Sequence, residues 1–173
     1  MVRRPPRGQF GGVWVFPGGT VDAGDRVAGD VSLDQAFRRA AVRELAEEVG
    51  IGVDVDSLAF VSRWITPVIF PRRYDTHFYL APLGWALPLK LAIDEIEEAA
   101  YITPAAALGA HQAQQWPMVL PTLAHLRWLA RFGTIEEAIR STIDCQDRMG
   151  ARPDPVTPKV AADGSLLPVE IPW

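Results

Sequence analysis

Arg43-Glu44-Leu45-Ala46-Glu47-Glu48-Val49-Gly50-Ile51, downstream of Phe16-Pro17-Gly18-Gly19, is the stretch on which the fold reading turns. At about 100° per residue on a helix, Glu44, Glu47 and Glu48 fall at i, i+3 and i+4, so their carboxylates converge on one face. Like charges that close repel, and the cluster costs stability unless a cation or an arginine offsets it. Oxygen-only ligands favour a hard divalent ion, Mg²⁺ or Mn²⁺. Ser32 with Gln35 is a capping-box pattern, and Gly50 suits the left-handed position just past a helix end, which predicts a helix over about 33–49. Ala41, Val42, Leu45 and Val49 recur at helical spacing and form an apolar face set apart from the carboxylates. Such a helix docks on a sheet while presenting its glutamates.

Working outward, Val13 to Phe16 is a short apolar run closed by Pro17-Gly18-Gly19, which reads as a strand entering a tight loop. Thr20 to Asp30, with Asp22, Asp25 and Asp30 among small residues, reads as a polar loop. Val53 to Thr66 and Asp75 to Ala81 read as strands, as does Ile96 to Ile102. Thr103-Pro104 opens a short alanine-rich helix with proline at the first helical position. Two further helices are expected over 121–132 and 135–149, the second introduced by Thr134 and Glu137 as a capping box. The fold class is α/β.

A chain of 173 residues with 49% hydrophobic content favours one domain with a sizeable core. Its net charge of −4 argues against nonspecific nucleic-acid binding. Cys145 is the lone cysteine and no leader precedes the domain, which suits a reducing, cytoplasmic setting. The most apolar long stretch, Leu80 to Ile93, is interrupted by Pro82, Gly84, Pro88 and Lys90, so no membrane span is expected. Pro153, Pro155, Pro158, Pro168 and Pro172 punctuate the end of the chain, so the expected division is a domain over 1–150 and a proline-rich arm over 151–173 that ends at Trp173. That tail and a short sheet edge admit a homodimer. His77, His111 and His125 show no ligand spacing and read as structural or surface residues.

Residues 43–51 satisfy each fixed position of the second half of the Nudix box, R-E-apolar-x-E-E-x-G-apolar, and Gly18-Gly19 after Phe16-Pro17 resembles its opening. The chain therefore resembles the Nudix hydrolase superfamily, whose fold is a mixed β-sheet packed between helices, an α/β/α sandwich. Two departures stand out. Asp25 occupies the position where the family has glutamate, and Arg26 to Val42 supplies seventeen residues where the family allows seven, an excess of ten. An enlarged loop of this kind resembles the branch that includes peroxisomal coenzyme A diphosphatases and bacterial relatives, as do Arg63-Trp64-Ile65-Thr66-Pro67 and Arg72-Arg73-Tyr74-Asp75-Thr76-His77-Phe78. The family also has a full strand ahead of the glycine loop, and Met1 to Pro6 leaves room for only part of one.

The resemblance implies metal-dependent hydrolysis of a nucleoside diphosphate linked to another moiety, with coenzyme A compounds, dinucleotides and nucleotide sugars as candidate substrates. It implies metal ligation by Glu44, Glu47, Glu48 and the Gly18 carbonyl, with Asp25 as a further candidate. Arg43 would orient the carboxylates. Candidates for the general base are Glu47 and, downstream, Glu95 or Glu98. Arg63, Arg72 and Arg73 are candidates for phosphate contact, and Trp64 or Tyr74 for stacking on a base. The competing expectation is a noncatalytic Nudix module that binds a nucleotide as a regulator. The intact glutamates favour the enzyme.

Overall fold

Residues 1–7, 11–29 and 32–171 are described by the computed structural model, so Asp30, Pro172 and Trp173 lie outside the described residues. Along the chain the elements are β1 (Val2–Arg3), β2 (Trp14–Val15), α1 (Leu33–Val49), β3 (Ala59–Ile65), β4 (Asp75–Leu80), β5 (Glu98–Ala99), α2 (Pro104–Gln112), α3 (Leu120–Leu129) and α4 (Ile135–Met149). They form two compact units. One comprises Met1–Leu58 with Ala81–Val119, and the other Ala59–Leu80 with Leu120–Trp173.

In the first unit a three-stranded antiparallel sheet has the order β2-β1-β5. The strands at Val13–Phe16 and Ile96–Ile102 are shorter than their composition predicts, and past their ends the pairing continues through individual bonds such as Ala100 N–H to Met1 O. β1 is the central strand of this sheet despite its two residues. Trp14 is buried, stacks on Trp116 with ring centroids 3.6 Å apart, and donates its backbone N–H to Pro117 O at 2.8 Å. This anchors the strand that feeds Phe16-Pro17-Gly18-Gly19.

The predicted metal helix, α1, spans Leu33–Val49 as expected. Ser32 has the extended backbone of an N-cap but its side chain makes no capping bond, so the expected Ser32/Gln35 box is not formed. At the other end Gly50 adopts φ 74° and donates to Ala46 O, as a left-handed cap should. Lys90 N–H and Ala92 N–H take up the Val49 and Glu48 carbonyls, satisfying helix-end acceptors. Val49 packs with Val2, Ile51 and Ile96 in the core of this unit, with Leu45 against them. Asp54 accepts the Asp56 N–H and closes a 3-10 turn over Val55–Ser57, so the strand expected from Val53 starts only at Ala59.

In the second unit β3 and β4 form an antiparallel hairpin with an irregularity between Phe60 and Ser62. Val61, Trp64, Ala124, Trp128, Ala138 and Ile171 make its core. The Thr134 and Glu137 capping box opens α4 as the sequence predicts. Beyond Gly150 the described residues form no helix, yet Val156 bonds to Arg63 and Ile65 beside β3 and Ile171 enters the core. Among the described residues no helix is long and apolar enough to cross a membrane.

Candidate functional site

Everything in the motif lies within the first unit. α1 contributes Arg43, Glu44, Glu47 and Glu48, the glycine loop contributes backbone at Gly18 and Gly19, and a 3-10 turn at Ala23–Asp25 contributes Asp25. Arg4, one residue beyond β1, joins them.

The three glutamates share the expected side of α1 but not the same environment. Glu48 is fully buried, Glu44 is largely buried and Glu47 is 58% exposed. Glu48 Oε2 accepts the Gly18 N–H at 2.9 Å, and Oε1 lies 2.7 Å from the Arg4 guanidinium. That contact is a charge pair without an aligned hydrogen bond, which leaves Oε1 buried and unsatisfied. Burial pushes the Glu48 carboxyl up to about 7, with Arg4 and the Gly18 N–H pulling it down and the charges of Glu44 and Glu95 pushing it up.

Arg43 gathers the rest. It donates to Asp25 through Nε at 3.1 Å and Nη2 at 2.9 Å, to Glu44 at 2.9 Å, to Glu47 at 2.8 Å and to the Thr20 carbonyl at 2.9 Å. These acceptors, Asp25 first, raise its affinity for its proton further. The Asp25 carboxyl is held below the ordinary carboxylate range, chiefly by its bond to Arg43, and also accepts the Asp22 N–H at 2.8 Å. Arg39 donates to the Asp25 carbonyl at 2.7 Å, so two arginines of α1 pin the first part of the enlarged loop. Asp25 thus spends both oxygens on Arg43, and this structure gives it the work of holding the arginine.

A hard divalent cation fits the chemistry of this site. Its donors are all oxygens, and one buried Glu48 oxygen lacks a proper partner. The Glu44 carboxylate lies against Gly19, where an added Cβ would sit 2.2 Å from Oε1 and the carboxylate would have to shift. Among the described residues no three acidic, histidine or cysteine side chains stand as a ready metal cage. Arg43 and Arg4 are interposed among the acids, and their positive charge offsets the crowding.

Of the downstream candidates, Glu95 raises the Glu48 carboxyl through its charge, whereas Glu98 is paired with Arg3 across the β1–β5 ladder at 3.1 Å. The expected substrate contacts all lie in the second unit. Arg63 grips Asp75 with two bonds, of 2.7 and 2.5 Å. Arg73 donates to the Thr66 carbonyl, and Arg72 lies over the Tyr74 ring at 5.3 Å. Trp64 corrects its expectation as a stacking platform: it is 3% exposed and donates Nε1–H to Ser62 Oγ, so its faces are spent on core residues. Arg4 carried no motif signal, because fourteen residues separate it from the carbonyl it contacts.

Residues 1–120 match the family model of the NUDIX domain. A Caenorhabditis elegans protein with the provisional name nudix hydrolase 7 is 28% identical over 152 positions, covering 68% of this chain and 50% of that protein. The chain thus spans half the length of the curated relative it matches. The crystal structure of a NUDIX hydrolase from Alicyclobacillus acidocaldarius superposes with a TM-score of 0.69 at 24% identity, over 80% of this chain and 86% of that one.

Proposed function

The chain belongs to the NUDIX domain family, and from that premise we propose that it hydrolyses the pyrophosphate link of a nucleoside diphosphate joined to another moiety. The observation that carries this reading is the Arg43 clamp on Asp25, Glu44 and Glu47 beside the buried Glu48 and the Gly18 loop. The proposed substrates are coenzyme A compounds, dinucleotides or nucleotide sugars, in keeping with the enlarged loop between Gly19 and α1.

Glu44, Glu48 and the Gly18 carbonyl would hold Mg²⁺ or Mn²⁺, with Glu47 at the exposed margin. Such an ion supplies charge neutralisation of the phosphate oxygens and makes water easier to deprotonate. Arg43 keeps Glu44 and Glu47 oriented through its rigid fork. Glu47 or Glu95 takes the proton from the water that attacks phosphorus. Both carboxylates are exposed to solvent, as exchange of that proton requires.

The test is a screen of the purified chain for phosphate-containing products from ADP-ribose, NADH, coenzyme A, dinucleoside polyphosphates and nucleoside triphosphates, with and without Mg²⁺ or Mn²⁺. Turnover of at least one pyrophosphate compound, lost on chelation, is expected. No turnover with tight nucleotide binding would instead identify a regulatory binding module.

A further inference from the structure

The Gly18 carbonyl and Glu48 Oε1 have a common neighbour. The Arg4 guanidinium lies 2.5 Å from the first and 2.7 Å from the second through the same Nη2 atom. Glu48 Oε2 accepts the Gly18 N–H at 2.9 Å, so arginine, glycine and glutamate close a ring. On the metal-site reading above, on which this inference rests, these two oxygens are also where a cation would bind. We infer that Arg4 competes with the divalent cation for the Gly18 carbonyl and the Glu48 carboxylate, so that cation binding requires the Arg4 side chain to swing away.

Electrostatics demands the exchange. Two cations cannot share the same pair of oxygens without strong repulsion at such separations, and arginine cannot yield by losing its proton. It has to move. The backbone is fixed on both sides, since Arg4 N–H donates to Val13 O at 3.2 Å and Arg4 O accepts the Gly12 N–H at 3.1 Å. Pro5 follows directly and restricts the Arg4 backbone further. Movement is therefore confined to the side chain, which is 28% exposed and has a path to solvent. The grip is also imperfect: Glu48 Oε1 has charge contact with Arg4 but no aligned hydrogen bond, so an ion that coordinates this oxygen improves on the arginine.

The experiment measures Mn²⁺ binding to the full chain without nucleotide, by electron paramagnetic resonance of the free ion, in the wild type, Arg4→Gln, Arg4→Lys and Arg3→Gln. Arg3 is the control, since it carries the same charge one residue away but pairs with Glu97 and Glu98. Arg4→Gln is expected to bind Mn²⁺ roughly tenfold more tightly, the equivalent of one charge-assisted hydrogen bond. Arg4→Lys should fall between it and the wild type, and Arg3→Gln should stay within about twofold. Equal or weaker binding by Arg4→Gln, or a gain no larger than that of Arg3→Gln, overturns the competition while leaving the metal site intact. No Mn²⁺ binding by the wild type or the Arg4 variants overturns the metal site and the competition together. If Arg4→Gln does not fold, a Mg²⁺ titration of the wild type followed at the Arg4 Nε–H resonance decides: a saturable shift supports the exchange, and an unmoved resonance under saturating binding overturns it.

Discussion

Arg43 illustrates what a single residue contributes here. Its guanidinium spans Asp25, Glu44, Glu47 and the Thr20 carbonyl at once, which a lysine ammonium on a flexible stem cannot reproduce. Arg43→Lys is expected to lower kcat/KM by about 10- to 100-fold, the usual cost of losing a group that orients metal ligands, with a melting temperature that moves little by comparison. Steady-state kinetics beside a thermal melt checks this. Contact of Arg43 with Glu47 was legible from their i,i+4 spacing; Asp25 entered only through the resemblance, at the position where the family has glutamate, and its bonds to Arg43 eighteen residues away were not legible from spacing. His125 offers a second residue-scale prediction. It is buried against Ser62 Oγ and the Pro121 carbonyl, and burial pushes it down to about 4. Between about pH 6.5 and 4 the unfolded chain binds a proton that the folded chain refuses, so stability falls as pH drops through that window and the loss levels off below it. The full effect is on the order of 3 kcal/mol. Denaturant titrations should show the wild type losing stability relative to His125→Gln as the pH is lowered from 6.5 to 4, and a constant difference would refute the assignment.

At the scale of elements, α1 and α4 were readable almost to the residue because their end signals are local. Gly50 and Gly150 take φ of 74° and 64°, and Thr134 with Glu137 closes its box within four residues. Gly50→Ala should cost about 1–2 kcal/mol for the left-handed backbone alone. It should cost more in this chain, because the new Cβ would lie 2.8 Å from Lys90 Cβ. Chemical denaturation measures it, and a loss below about 0.5 kcal/mol would contradict the cap geometry. The strands were less legible. β1, β2 and β5 have two residues each, too few for an alternating pattern, and their extent depends on pairing partners far along the chain. Likewise, the turn at Val55–Ser57 depends on an Asp54 side chain bonding its own backbone, which competes locally with the strand that the β-branched composition favours.

For the molecule as a whole, the two compact units are each assembled from separated stretches of chain, so no linear boundary divides them. One consequence concerns Ile171. It is 3% exposed in the core that holds Trp64 and Trp128, although it lies in the proline-rich stretch. Ile171→Ala should cost about 2–5 kcal/mol, as for other large-to-small core changes, and a melt within 1 °C of wild type would show that this stretch does not contribute to the core. By itself, the sequence carried the family through its resemblance to the motif at 16–19 and 43–51, and the α/β class through the order of its elements; the two well-signalled helices and the grouping of Arg43 with Glu44 and Glu47 were legible because they follow from contacts between near neighbours in the chain. Only the tertiary structure decided that Glu48 is buried while Glu47 is exposed, that Trp64 is a core residue, and that Arg4 reaches the Gly18 carbonyl and Glu48. Burial and long-range charge pairing depend on which distant segments close over a residue, and helical or strand spacing carries no record of that.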